Sequence, residues 1–467
     1  MDIARRAMLL ASGAAFLTAR SVSASATTVK RPNFLFIMAD DMGWADLSCY
    51  GREDFETPNI DRLAREGTRF TQAYANSAVC TATRVGLITG RYQYRLPIGL
   101  EEPLAQRSIG LPPEQPTIAS LLRQAGYATS LVGKWHLGGL PNYGPLQSGY
   151  DEFWGFRGGG IDYFTHKFAG REDLWDGDTP IHQSGYLTDL LTDRAISTLE
   201  RFAGASKPFF MSLHYSAPHW PWEGPNDQEE AERLDSSPNP LALMHNDGGT
   251  QKTYGEIVQR LDQQVGRIMA ELRRLKLDRN TVVVFTSDNG GERFSKTWPF
   301  SGRKSELLEG GIRVPCIVRW PGLSKAGSTS DAQIMSMDWL PTFIAAADGN
   351  LSSEFAPDGI EIRSAIGGAP LPERALFWRY KFQMQRAVRL GNWKYLRIAG
   401  NEFLFDMEAD SMERANLKAR YPQKFTELID LWQRWDQTML PLDPESSSHG
   451  QTGDAAADHN GGIIDAH

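Results

Sequence analysis

Two carboxylates stand side by side at Asp40-Asp41, directly after the apolar run Asn33–Ala39 (NFLFIMA). Adjacent carboxylates repel unless a cation neutralises them, so a metal ion is their natural partner. A lone Asp-Asp pair reads as a solvated turn, but a second acidic element follows another apolar run, at Thr286-Ser287-Asp288-Asn289-Gly290-Gly291. Asp40, Asp41, Asp288 and Asn289 would then meet at one ion. All four are hard oxygen donors, which favours Ca²⁺, with Mg²⁺ second, over zinc. A third element is Cys80-Thr81-Ala82-Thr83-Arg84, continuing through Val85–Arg91 (VGLITGR). Taken alone it is a small hydrophobe opening a helix, with Arg84 on a surface. A helix beginning near Cys80 would also aim its free N–H groups and positive dipole end at an anion.

These residues need elements to bring them together. The run Asn33–Ala39 is near-continuously apolar, as in a parallel strand buried on both faces. In open α/β sheets ligands gather at the carboxyl ends of the strands, where Asp40 and Asp41 fall. Thr57-Pro58 opens a helix, with Thr57 as N-cap, Pro58 at the first helical position, and Ile60, Leu63 and Ala64 as the apolar stripe. Further strands are predicted at Ala128–Val132, Pro208–His214, Thr281–Thr286 and Pro315–Trp320. Helices are predicted at Thr117–Gln124, Leu187–Phe202, Tyr254–Leu275 and Asp338–Ala346. The alternation gives an α/β fold, a large, mixed, mostly parallel sheet sandwiched by helices. From about Glu373 the pattern changes to polar–apolar alternation over Ala375–Tyr380, Arg386–Arg389, Trp393–Ile398 and Phe403–Asp406. A helix follows at about Gln423–Trp435, so a small antiparallel sheet plus one helix is expected over 373–444, after a main domain over 27–372. From Glu445 to the end, Ser, Gly, His and Asp dominate and read as a disordered tail.

The chain has 467 residues and a net charge of -8 at pH 7. That balance argues against nucleic acid or an anionic membrane as partner, while a small anionic substrate needs only a locally positive pocket. Arg5 and Arg6 precede the apolar stretch Ala7–Leu17 and the small-residue site Ala24-Ser25-Ala26. Residues 1–26 therefore read as an export signal of twin-arginine type, too short to span a bilayer, which places the protein in a bacterial periplasm or outside the cell. Three cysteines exclude a disulfide scaffold; Cys49 and Cys316 either pair or remain isolated thiols.

Taken together and in this order, the motifs resemble the type I sulfatases. The resemblance rests on Cys80-x-Ala82-x-Arg84 with Thr89-Gly90-Arg91, the Asp-Asp pair, Thr57-Pro58-Asn59-Ile60-Asp61 and Asp288-Asn289-Gly290. It spans roughly residues 32 to 322, with Ala82 departing from the commoner Pro. It implies an alkaline-phosphatase-like fold, and conversion of Cys80 to formylglycine by a dedicated modifying enzyme. It also implies a calcium site formed by Asp40, Asp41, Asp288, Asn289 and the converted position 80.

Sulfate monoesters repel nucleophiles, so cations must neutralise them. In a hydrated aldehyde one hydroxyl attacks sulfur, and deprotonation of the other re-forms the aldehyde and expels sulfate. Gly133-Lys134-Trp135-His136-Leu137-Gly138 resembles the family's lysine–histidine element. Lys134 would bind sulfate, and His136 would take the proton of the elimination step. Ser216-Ala217-Pro218-His219 resembles the family element whose His contacts the sulfate ester oxygen, which would make His219 the general acid. Lys304, ahead of Glu309–Pro315, would be a second sulfate ligand, Arg84 would pair with the nucleophile's oxygens, and Asp288 would accept the attacking hydroxyl's proton.

His214, alternating within its strand, reads as structural. His166 and His182 lie in a Gly- and aromatic-rich stretch, Trp154–His182, that lines the substrate mouth or serves only structure. The expected activity is hydrolysis of sulfate monoesters, on aryl groups or carbohydrate. The rivals are a phosphonate monoester or phosphodiester hydrolase of the same superfamily, and a silent binding protein with Cys80 unconverted.

Overall fold

Every residue of β1 (Asn33–Ala39) is buried, because both faces of this strand are covered. Leu35, Ile37 and Ala39 enter one apolar core with α1 (Pro58–Glu66), α4 (Leu187–Ala203) and α5 (Gln251–Arg274). Phe34, Phe36 and Met38 enter a second core with α2 (Cys80–Thr89), α3 (Ile118–Gln124) and α6 (Trp339–Ala346). With side chains alternating across a strand, two covered faces require the unbroken apolar run seen in the sequence.

The computed structural model describes residues 31–102, 109–168, 170–239, 241–351 and 353–446. The expected export signal at 1–26 lies outside these residues, as does the tail beyond Ser446. Ser446 itself is buried, its carbonyl accepting from Lys381 Nζ at 2.7 Å. Among the described residues no helix is long and apolar enough to cross a membrane.

In spatial order the central sheet runs Ser328–Ser330, β2 (Thr68–Tyr74), β7 (Arg313–Arg319), β6 (Thr281–Ser287), β1, β5 (Phe209–His214), β3 (Ala128–Lys134), β4 (Glu152–Phe156) and a short hairpin, Trp175–Asp176 with Thr179–Pro180. β6, β1, β5, β3 and β4 are mutually parallel, whereas β7 runs antiparallel to both neighbours. The register pairs Ala39 with Ser287, Met38 with His214 and Gly133 with His214. The residues that follow β1, β5 and β6, together with Lys134 at the end of β3, therefore emerge at one edge of the sheet.

Some expected details differ. Thr57 does precede α1 and Pro58 opens it, but the Thr57 hydroxyl does not cap the helix. It contacts Ser48 and donates to Asp61, while Asp262 of α5 takes the free N–H groups of Asn59 and Ile60. A carboxylate from a packed helix thus replaces the local cap.

The C-terminal sheet is antiparallel as expected: β8 (Ala375–Tyr380), β9 (Gln385–Leu390), β10 (Trp393–Ile398) and β11 (Asn401–Asp406), followed by α7 (Pro422–Asp436). Its Trp378 and Leu376 share a core with Tyr74, Val79 and Ala82. The indole of Trp378 donates to the Ala75 carbonyl at 2.9 Å. This sheet therefore buttresses the segment that leads into α2.

Candidate active site

The loop after β1 turns sharply, with Asp41 at φ 62°. Non-glycine residues rarely occupy that region, and strained backbone of this kind concentrates at functional sites. Asp40 and Asp41 are fully buried, as are Asp288 and Asn289 from the loop after β6. Cys80 is the first residue of α2, and its Sγ lies 3.4 Å from Asp40 Oδ1 and 3.7 Å from Asp41 Oδ1. Lys134 Nζ lies 2.5 Å from Asp40 Oδ2, and Lys304 Nζ lies 2.6 Å from Asp41 Oδ2. Gly133, at φ 112°, lets β3 press against β5 ahead of Lys134; a Cβ there would sit 1.8 Å from the His214 carbonyl oxygen.

Arg84 is not on a surface. It is buried, with its guanidinium 2.9 Å from Asp288 Oδ2, 3.6 Å from Asp40 Oδ1 and donating to the Lys134 carbonyl at 3.2 Å. Burial works against the charges of Lys134 and Lys304, yet the facing carboxylates outweigh it and hold both ammonium groups charged. Burial and the neighbouring Asp288 push Asp40 well up, and burial pushes Asp41 up against the pull of Lys304. Burial also pushes the Cys80 thiol well up, against Lys134 and Lys304, so as a thiol it keeps its proton at neutral pH. A protonated thiol is a poor nucleophile.

Asp40, Asp41, Cys80 and His219 each offer a ligand atom within 4.8 Å of the others. Asp288 stands beside this group; its oxygens already accept from Arg84 and from the backbone N–H groups of Asp41 and Asn289. Two observations fit a cation here. Asn289 Oδ1 is buried without a partner while its amide nitrogen sits 2.7 Å from Asp41 Oδ1. Turning that amide over would aim a second oxygen at Asp41, which only a positive ion between them would favour. His219 Nδ1 contacts the Trp220 carbonyl at 2.8 Å, and the other nitrogen, Nε2, faces Asp41 Oδ2 at 3.5 Å. With Nδ1 protonated, two acceptors face one another unless a cation or a proton intervenes.

His136 adopts φ 58° and lies within 3.2 Å of the Thr81 hydroxyl. Glu102, which the sequence did not point to, accepts from Thr81 N at 3.1 Å and from Thr81 Oγ1 at 2.7 Å. It thus caps α2 from a distant loop. Burial and Lys134 lower the basicity of both His136 and His219, keeping them neutral. His214 is also held neutral by burial, its Nδ1 3.3 Å from the Lys134 carbonyl, in keeping with a structural part.

A cavity of about 590 Å³ opens over the cluster. Cys80, His136, His219 and Lys304 reach it, while Asp40, Asp41, Arg84, Lys134, Asp288 and Asn289 lie behind. The stretch Trp154–His182 does supply wall, through Arg157, Gly158–Gly160 and Phe168, but not through its histidines. His166 is buried against the Gly185 carbonyl and His182 is exposed beside Glu172. Cys49 and Cys316 remain free thiols.

The family model described as Sulfatase matches residues 32–349. The chain belongs to the sulfatase family. Its members are sulfuric ester hydrolases, and the reaction acts on an ester of sulfuric acid. This sulfatase is 32% identical to N-acetylgalactosamine-6-sulfatase of Canis lupus familiaris over 393 residues, covering 78% of this chain and 71% of that protein. It is 27% identical to arylsulfatase J of Mus musculus, covering 89% of this chain and 78% of that one. Among solved structures it resembles Ps i-CgsB bound to k-i-k-neocarrahexaose, with a TM-score of 0.78 and 29% identity, covering 87% and 93% of the two chains.

Proposed function

We propose that this sulfatase hydrolyses sulfate monoesters carried on a carbohydrate ring, using formylglycine made from Cys80 and a bound calcium ion. One observation carries the reading: Cys80 opens α2 against Asp40 and Asp41, with the buried cations Lys134 and Lys304 on either side, at the floor of a cavity. The name of the dog relative, a sugar sulfatase, supports the carbohydrate. The thiol Sγ stands where the oxygens of the converted residue would lie. As a thiol, position 80 joins an imidazole and two carboxylates, a mixed donor set that would also suit zinc. Conversion replaces the sulfur by oxygen, and Asp288 and Asn289 add oxygen donors, which favours Ca²⁺ over Mg²⁺ or zinc.

When bound, the cation would supply positive charge beside Asp40, Asp41, Asp288 and Asn289, and the hydrated aldehyde would supply the attacking hydroxyl. The chain does the rest. Lys304 reaches the cavity and Lys134 backs it, so both draw the sulfate oxygens inward and offset the charge that repels a nucleophile. The first turn of α2 adds little to that field, since Glu102 accepts from the Thr81 N–H and the Thr83 N–H donates to the Val79 carbonyl. His219 Nε2 points into the site, and the negative charge of the substrate favours its protonation, so it gives a proton to the leaving alkoxide. His136, on the Thr81 side, takes the proton whose loss releases sulfate. Arg84 fixes Asp288. The Arg5-Arg6 leader supports export to the periplasm or beyond, with conversion of Cys80 by a modifying enzyme in the producing cell.

The test is a rate comparison on enzyme whose conversion at Cys80 has been measured by peptide mass. Sulfated monosaccharides, an aryl sulfate and an aryl phosphonate monoester are compared. Sulfate release from a sugar sulfate, abolished by Cys80→Ala, is expected. A preference for the phosphonate, or undiminished activity in Cys80→Ala, would falsify the proposal.

A further inference from the structure

A second cavity, of about 330 Å³, opens where β8 and β9 meet the last turn of α7. Arg379 and Arg386 line it with Trp432, Asp436, Met384 and Met439. The strand register sets Arg379 opposite Arg386 and Arg386 opposite Arg397, so three arginines stand in one row on the face that α7 covers. Like charges directly opposite one another destabilise a sheet, and an anion between them relieves the repulsion. The protein supplies little of that charge. Asp436 is spent on Arg379 Nη1 at 2.6 Å, and Glu402, which ends the row opposite Arg397, accepts from the Tyr395 hydroxyl at 2.9 Å.

Arg379 is 3% exposed, and its Nη2 takes the Leu440 carbonyl, which leaves Nε buried without a partner. Arg386 is half-buried and lies over the Trp432 ring, 4.4 Å from its centroid. Among the described residues its guanidinium has no carboxylate or hydrogen-bond partner, and neither has that of Arg397, whose Nε is also buried. A buried donor without a partner is costly, and a planar fork held flat on an indole is ready to take an oxyanion. Met384, 50% exposed, and Met439 give the same cavity an apolar wall, and its volume falls in the range of small-molecule sites. No lining residue is shared with the cavity above Cys80. The two are nonetheless tied. Gln385 precedes Arg386, faces the other side of β9 and donates to the Ser305 carbonyl at 2.8 Å, and Ser305 follows Lys304.

From the unpartnered arginines and the apolar wall, and taking the ligand class from the proposed action on sulfated carbohydrate, we infer that this cavity is a second sulfate site. Through Arg386 and Arg379 Nε it holds a sulfate half-ester on a sugar ring other than the one being cleaved. That ring lies against Met384 and Met439. A chain held there stays close to the catalytic cavity, which raises the local concentration of its other sulfates at position 80.

The test reads binding rather than turnover. Full-length Cys80→Ala protein is titrated calorimetrically with sulfated maltohexaose, unsulfated maltohexaose and inorganic sulfate. Adding Arg386→Gln should weaken part of the binding of the sulfated sugar by about tenfold, the size of one charge-assisted contact, while binding in the catalytic cavity is retained. Arg386→Lys, which keeps the charge without the fork, should fall between. Arg434→Gln removes the same charge from an exposed position of α7 and should change nothing. Thermal melts beside the titrations show that each variant is folded. Curves that Arg386→Gln leaves unmoved, an equal loss in Arg434→Gln, or equal uptake of the unsulfated sugar overturns the inference. So does an Arg386-dependent affinity for inorganic sulfate that matches the sugar's, which would make the cavity a site for the free ion. Converted wild-type enzyme that releases no sulfate from any ester would overturn the reaction proposed above and leave the binding result in place.

Discussion

His136 is held from several sides. The Thr81 hydroxyl and the Glu102 carboxylate sit along one edge of the ring, and Gly159 passes so close that a Cβ there would lie 2.6 Å from Nε2. Gly159→Ala must therefore shift His136 while its own backbone remains allowed. A misplacement on the scale of 1 Å costs on the order of 100-fold in rate, so kcat should fall by roughly 10- to 100-fold with the melting midpoint nearly unchanged. Steady-state kinetics beside a thermal melt decide it; an unaltered kcat would mean the ring position is not critical. Glu102→Gln keeps the shape but weakens the hold on Thr81, and a smaller fall in kcat is expected. At this scale the sequence was most legible where chemistry forces residue type. Crowded carboxylates need a cation, so Asp40 and Asp41 could be singled out from residue type, whereas Lys134 and Lys304 were named through the resemblance to the sulfatases. Glu102 and Gly159 could not, because each acts through a partner distant in sequence. The depth of Arg84 also escaped, since an isolated arginine in a helix reads as surface until its carboxylates are placed around it.

Among the elements, β1 and β6 were legible because both faces are covered and each centres on an unbroken apolar run, Phe34–Ala39 and Val282–Phe285. β2 (TRFTQAY) was not, as its burial is uneven and its polar residues face the flank of the sheet. The reversed direction of β7 leaves no trace in composition. How the C-terminal sheet attaches was equally hidden, because an ion cluster is buried within its apolar joint. Lys394 of β10 lies 3.0 Å from Glu309 and 2.7 Å from Glu413, all three buried, with Arg313 3.1 Å from Glu309. Burial pushes Glu309 up, but Lys394, Arg389 and Arg313 together outweigh it and hold it at about 2. Burial pushes Glu413 up to about 7, against the pull of Lys394. The two act in opposite senses. Glu309, depressed on folding, adds stability as pH rises from about 2 to 4.5. Glu413, raised on folding, gives stability that is complete below its unfolded value near 4.5 and is lost as pH rises to about 7. At 1.36 kcal/mol per pH unit, the Glu413 contribution is about 3 kcal/mol across that window. Calorimetric melts from pH 5 to 7 should show the wild-type midpoint falling relative to Glu413→Gln by a few degrees. Parallel curves would remove the joint as a source of pH dependence.

At the scale of the whole molecule, one edge of an eleven-stranded sheet gathers the carboxylates Asp40, Asp41, Asp288 and Glu292 around the cations Arg84, Lys134 and Lys304. Four carboxyl groups crowd against three cations, and burial pushes Asp40 and Asp41 up, a crowding that a further cation would relieve. The loops after β1 and β6 carry most of them, so an ion shared between those loops would fasten the two central strands at their carboxyl ends. An ion that binds only the folded chain stabilises it by mass action, by about 2.7 kcal/mol at a hundredfold excess over Kd. The melting midpoint should therefore fall by a few degrees in excess chelator and return with Ca²⁺, less so with Mg²⁺, whose small octahedral shell fits a mixed carboxylate–amide site poorly. Asp41→Asn removes one ligand charge and should flatten the response to Ca²⁺ while relieving repulsion in the metal-free chain. Because stability is the readout, the test needs no turnover; the extent of Cys80 conversion is measured beside it, since position 80 is one of the ligands. Identical midpoints in chelator and in millimolar Ca²⁺ would show that Lys134, Lys304 and Arg84 alone balance the cluster.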